Sequence, residues 1–173
     1  MATERAGAVK FKGTPMTLVG PALKAGDKAP DFNVLGAGLT PVNLASSKGK
    51  VRLFSVVPSL DTGICNMQTK KFNQAVAGLP PTVQAYTVSL DLPFAQARFC
   101  TAEKIDKMAS LSDHREASFG AAYGVLIKEL RLLARSIFVV DKLDKITYVQ
   151  LVPEVTTEPN YDEAMDAVRK AAQ

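Results

Sequence analysis

Hydrophobic and polar positions change period several times along this 173-residue chain, and each change predicts an element. In AVKFKGTPMTLVG, short apolar pieces flank Lys12-Gly13-Thr14-Pro15, which predicts a β-hairpin over about residues 8–20. Residues 24–44 are rich in Gly and Pro and read as turns with brief strands. KVRLFSVV, residues 50–57, is β-branched and nearly all apolar, as expected of a strand covered on both faces; Pro58 ends it. The period then becomes helical. Ile64, Met67, Phe72, Ala75, Val76 and Leu79 recur at helix spacing, with Asp61 or Thr62 as N-cap and Gly78 and Pro80-Pro81 as the stop. TVQAYTVSL, residues 82–90, predicts a second buried strand. Asp91 and Pro93 open a short helix that ends near Cys100, with Phe94 and Phe99 as its expected anchors.

Further on, MASLSD reads as a short strand and REASFGAAYG as a short helix ended by Gly124. LIKELRLL fits either a helical turn or an irregular strand leading into Arg135. RSIFVVD and KITYVQLV predict two strands joined at Asp141–Asp144, and NYDEAMDAVRKAA a closing amphipathic helix. Strands alternating with helices, then a hairpin and a last helix, predict a single α/β three-layer domain with a mixed sheet.

Composition narrows the functional classes. A chain of this size buries about 70% of its unfolded surface and needs no disulfide or metal staple. No apolar run approaches the length of a membrane span, and the polar start MATERAGAVKFKG lacks the apolar segment of a secretion signal, so a cytosolic, membrane-free protein is expected. The net charge of +4 comes from scattered lysines and arginines without interleaved aromatics, which argues against a nucleic-acid partner. With one histidine and two distant cysteines, a metal site is not expected. GAGLTP lacks the third glycine of a dinucleotide loop, and SSKGKV lacks the Ser or Thr of a P-loop, so no cofactor is expected. His114 reads as a helix-start residue.

The two cysteines fit either buried small hydrophobes or a redox couple. Cys65 lies on a strand–turn–helix, PSLDTGIC. If Thr62 caps the helix, Cys65 falls in the first turn, where unpaired N–H groups and the helix dipole favour a thiolate. An ordinary cysteine is about 3% thiolate at pH 7, so full ionisation gains about thirtyfold. A lower pKa also weakens the nucleophile, which returns about tenfold of that. Most of any catalytic acceleration must therefore come from positioning and from charge stabilisation at the departing oxygen. Thr62 and an arginine suit those tasks.

Pro58-x-x-x-Thr62-x-x-Cys65 resembles the active-site motif of peroxiredoxins. PSLDTGIC, SLDLPFAQARFC, LSDHREASFGAAYGV, LLARSIFVVD and LVPEVTTEPNYDEA, in that order, resemble the bacterial thiol peroxidase branch, an atypical two-cysteine group. The resemblance implies a thioredoxin-like three-layer fold with an extra N-terminal hairpin. It implies Cys65 as the peroxidatic thiolate, Thr62 holding the peroxide oxygen, Pro58 shielding the site and Arg135 stabilising the charge. Cys100 would be the resolving thiol, forming a Cys65–Cys100 disulfide that thioredoxin reduces. It also implies a homodimer acting on hydrogen peroxide and organic hydroperoxides. Asn66-Met67 stands where the resembled family more usually has a polar pair, and Leu143 where its turn often has a polar residue or glycine. The competing class is a thioredoxin-fold redox sensor or adaptor without turnover.

Overall fold

The computed structural model describes residues 2–173. Its centre is a seven-stranded sheet in which the buried parallel strands β5 (Val51–Val56), β6 (Val83–Ser89) and β7 (Ala109–Ser112) lie side by side. On one edge β10 (Ser136–Val140) pairs antiparallel with β5 and β11 (Ile146–Leu151) antiparallel with β10; on the other the short β3 (Val34–Leu35) pairs antiparallel with β7 and β4 (Pro41–Val42) antiparallel with β3. The sheet is therefore mixed, as its patterning predicts.

Alternation along β5 and β10 divides the core. Val51, Leu53, Ile137 and Val139 face α1 (Gly63–Val76) and α4 (Tyr161–Ala172), where Phe72, Val76, Met165 and Val168 meet them. Phe54, Val56, Phe138 and Val140 face the other way, onto Phe119 and Tyr123 of the short helix α3 (Ser118–Ala122) and its end. The helix α2 (Pro93–Ala102) follows β6 and packs on β7. Within α1 the buried face carries Cys65, Gln68, Thr69, Phe72 and Val76; Met67 is 43% exposed, against the expectation that it joins the apolar stripe.

A second, four-stranded sheet pairs β1 (Glu4–Phe11), β2 (Thr14–Val19), β8 (Leu126–Ile127) and β9 (Leu132–Leu133). The first strand begins at Glu4, earlier than the apolar pattern suggests, because Glu4 and Arg5 pair with Val19 and Leu18 beyond an irregularity that Gly7 turns at φ +66°. LIKELRLL resolves as the β8–β9 hairpin on the free edge of β2, not as a helical turn. The N-terminal hairpin, in turn, is tied to the chain just after α3: Arg5 donates to Gly20 O and Gly124 O, and a Cβ at Gly124 would meet Pro21 O at 1.8 Å.

Candidate active site

The site forms where α1 starts. β5 delivers the chain into the buried Pro58, and the loop that follows is tied down from below: Ser59 Oγ and Leu60 N both donate to the Asp91 carboxylate, at 2.7 and 2.8 Å. Thr62 occupies the N-cap in extended conformation, but its hydroxyl donates to Ser59 O at 3.1 Å and no side chain caps the first turn. The first-turn amides of α1 therefore keep their N–H groups for other acceptors. Cys65 is the third helical residue, fully buried against Val57, Leu60 and Phe99.

Arg135, immediately before β10, reaches this turn from 70 residues away, its Nη2 donating to Cys65 Sγ at 3.3 Å. Two more of its donors are engaged: Nη1 gives to Gln68 Oε1 at 2.7 Å and Nε to Val155 O at 2.8 Å. Gln68 is held in turn by donating Nε2 to Ser55 Oγ on β5 at 2.8 Å. Val155 is braced by the N-terminal hairpin, since Lys10 N donates to Pro153 O and Val155 N to Lys10 O. The hairpin turn is itself pinned by Lys12 N and Gly13 N donating to Glu154, whose carboxyl is pulled down to about 2, chiefly by the Thr156 hydroxyl and then by these amides. The extra hairpin thus supports the arginine that meets the cysteine.

Two arginines are buried among the described residues, and their surroundings differ in counter-charge. Arg52, fully buried, has the Asp144 carboxylate at 2.7 Å. Arg135, 2% exposed, has no carboxylate partner among the described residues. Its neighbour Glu158 is occupied instead by Lys71 at 2.8 Å and by the Tyr161 hydroxyl, which hold that carboxyl below its usual range. A buried cation without an ion-pair partner is unfavourable, and the sulfur that this one reaches is that of Cys65.

Of the residues expected to act together, Cys65 and Arg135 are in contact, and Thr62 and Pro58 belong to the same loop. Cys100 stands apart. Its thiol is free and half-buried in the cluster of Ile105 and Met108, beside a cavity of about 490 Å3. The neighbouring Phe99, not Cys100, packs on the Cys65 side. Phe94 is 69% exposed and anchors nothing, a correction to the expectation for this helix; the fully buried residues of α2 are Pro93 and Gln96. Met67 and Leu143, the departures from the resembled pattern, both face solvent.

Gln68 was not foreseen, although its place three residues after Cys65 puts a polar side chain on the apolar face of α1, a legible signal. Gln68→Leu removes an acceptor from Arg135 and is expected to slow the reaction of Cys65 with peroxide about tenfold, as loss of a hydrogen bond to a charged group does. Stopped-flow measurement of that step checks it; an unchanged rate would show that Arg135 needs no such support.

Burial pushes the Cys100 thiol up, partly offset by a hydrogen bond with Ser110. Seated in α2 it is therefore protonated at neutral pH, and the seat has no ionisation penalty below the ordinary thiol value. As pH rises through that value, about 8.5, an unseated thiol ionises while the seated one resists. The α2 helix is thus expected to loosen above about pH 8.5 in wild type and not in Cys100→Ser. Hydrogen exchange over residues 91–103 against pH reads this directly; identical profiles for the two proteins would refute it.

Comparison with known proteins places this geometry. The redoxin family profile matches residues 24–165. Thiol peroxidase of Halalkalibacterium halodurans is 55% identical over 163 residues, covering 94% of this chain and 98% of the relative. Thiol peroxidase of Bacillus subtilis is 55% identical over 161 residues, covering 93% and 96%. Among solved structures, a peroxiredoxin-like protein from Aquifex aeolicus superposes with TM-score 0.89 at 46% identity, over 96% of this chain and 98% of that one. Thiol peroxidase from Chromobacterium violaceum shares the fold, with TM-score 0.84 at 19% identity over 95% and 97%. An unpaired buried arginine on a helix-start cysteine, within a thioredoxin-like sheet matched along nearly its whole length, places the chain in the redoxin family, among the thiol peroxidases.

Proposed function

We propose that Cys65 is the peroxidatic nucleophile and that Arg135 acts on it directly. The observation that carries this is the buried guanidinium, without a carboxylate in ion-pair contact among the described residues, that donates to the Cys65 sulfur at 3.3 Å. The Cys65 thiolate attacks the terminal oxygen of a hydroperoxide. The S–O bond forms as the O–O bond breaks, the electron pair leaves on the distal oxygen, and a proton completes water or an alcohol. Arg135 and the uncapped first-turn amides of α1 offset the charge that builds on the oxygens. Thr62, at the mouth of the site, has hydroxyl lone pairs left to accept from the peroxide after donating to Ser59 O. Pro58 keeps the strand end dry.

Cys65 is left as a sulfenic acid. Cys100 then attacks its sulfur, expelling water and forming the Cys65–Cys100 disulfide, and a thioredoxin dithiol returns both thiols by exchange. The reading extends to a single domain over residues 1–173 placed in the cytosol, as its length and polar start lead one to expect, and working as a homodimer, as the family resemblance implies. No described helix is long and apolar enough to cross a membrane.

Peroxide consumption coupled to thioredoxin and its reductase tests the whole cycle. Wild type is expected to turn over hydrogen peroxide and organic hydroperoxides. Cys100→Ser is expected to react once and stop as a trappable sulfenic acid. Sustained turnover by Cys100→Ser would remove Cys100 from the cycle. A single stoichiometric oxidation of wild type without turnover would favour the sensor or adaptor instead.

A further inference from the structure

Arg135 rests on the loop between β11 and α4, and that loop carries two acceptors of different kinds. Val155 O takes Arg135 Nε at 2.8 Å. Glu158, three residues further on, brings a carboxylate into the same neighbourhood, but its ion pair is made elsewhere. Lys71 Nζ of α1 and the hydroxyl of Tyr161, the first residue of α4, both donate to Glu158 Oε1 at 2.8 Å. Lys71 first, then the Tyr161 hydroxyl, hold this carboxyl below its usual range, and the Arg135 charge adds a smaller pull in the same direction. Glu158 is therefore near enough to feel the guanidinium without being bonded to it.

The groups that hold Glu158 also hold one another. Lys71 Nζ lies 4.7 Å from the centroid of the Tyr161 ring, and that ring packs on the buried Phe72 of α1 at 5.1 Å between centroids. The other carboxylate of the loop, Glu154, is engaged by Thr156 and by the hairpin amides of Lys12 and Gly13. Glu158 is thus the loop carboxylate whose choice of cation matters. Arg135 has N–H groups beyond the three in use, and a guanidinium binds a carboxylate well. An Arg135–Glu158 pair would cancel the charge that favours a thiolate at Cys65 and that offsets charge building on the peroxide oxygens. The Lys71–Glu158 pair is itself partly exposed, at 47% and 39%, so it adds little to stability and its effect belongs to the rate.

Building on the proposed roles of Cys65 and Arg135, we propose that Lys71 and Tyr161 are positioning residues for the peroxide step: they hold the Glu158 carboxylate away from Arg135, so that the guanidinium keeps its charge for Cys65 and the incoming hydroperoxide. Lys71 supplies the competing cation, and Tyr161 supplies a second donor and the ring over which that cation sits. Neither touches the sulfur or the substrate; both act through Glu158.

Stopped-flow measurement of the first reaction with hydrogen peroxide, together with the ultraviolet absorbance of the Cys65 thiolate at neutral pH, tests this. Lys71→Met frees the carboxylate and is expected to slow the step about three- to tenfold and to lower the thiolate signal. Lys71→Arg keeps the competing cation and should restore both. Tyr161→Phe keeps the ring but loses one donor, and an effect of about twofold is expected. Glu158→Gln removes the competing charge and should react at least as fast as wild type. The decisive protein is Lys71→Met/Glu158→Gln, which should recover to within about twofold of Glu158→Gln, because no carboxylate is left to reach Arg135. A merely structural tether between α1 and the loop predicts the reverse, with Glu158→Gln as slow as Lys71→Met and the double variant no faster. That result, or Lys71→Met at the wild-type rate, would overturn the inference while leaving the roles of Cys65 and Arg135 intact. Arg135→Met at the wild-type rate would overturn the reading on which it rests.

Discussion

Cys65→Ser is expected to abolish peroxidase turnover while leaving the fold in place. Serine is nearly isosteric, and Cys65 is fully buried among Val57, Leu60 and Phe99, so packing changes little. The chemistry changes completely. A hydroxyl stays protonated near neutral pH, and no basic side chain is bonded to the sulfur position to remove its proton; the donor there, Arg135, is a cation. Cys100 cannot take over, because it is half-buried in another cluster and burial pushes its thiol up. Peroxide consumption by the variant should equal the buffer blank in the thioredoxin-coupled assay, with no sulfenic acid detected by trapping. Residual turnover above that blank would mean that the nucleophile lies elsewhere.

Arg135→Met should cost about 10²–10³ in the rate of the first peroxide step, the loss expected when a charged donor is taken from a site of developing negative charge. Methionine nearly spans the same space but supplies none of the donors that now reach Cys65 Sγ, Gln68 Oε1 and Val155 O. Stability should move less than activity. The variant strands two acceptors, but it also removes a buried charge with no carboxylate beside it, and these effects oppose one another. Arg135→Lys separates charge from geometry. An ammonium keeps the charge but cannot direct donors to all of these positions from one planar fork, so an intermediate loss of about tenfold is expected. Stopped-flow rates with hydrogen peroxide rank the three proteins; Arg135→Met within about threefold of wild type would take Arg135 out of the mechanism.

What was legible in the sequence is what depends on near neighbours along the chain. The apolar run of β5, the helical spacing of α1, the stop at Gly78 and Pro80-Pro81 and the amphipathic α4 each announce themselves, because periodicity and capping act over a few residues. Cys65 at a helix start was readable for the same reason, and the family motifs extended that reading to Arg135 and Cys100. Tertiary structure alone decided the rest. β8 and β9 are two residues each, too short to show a period, and exist because β2 offers an open edge. Phe94 looked like an anchor because a short helix with apolar residues on several sides does not say which face is inward; β6 and β7 settle that by presenting Ser89 Oγ and Leu111 O to Gln96. That Arg135 meets Cys65 without a carboxylate, while Arg52 keeps Asp144, is likewise absent from local pattern, since a counter-charge is chosen by proximity in space and these partners are separated by 70 and 92 residues of chain (135 − 65 and 144 − 52).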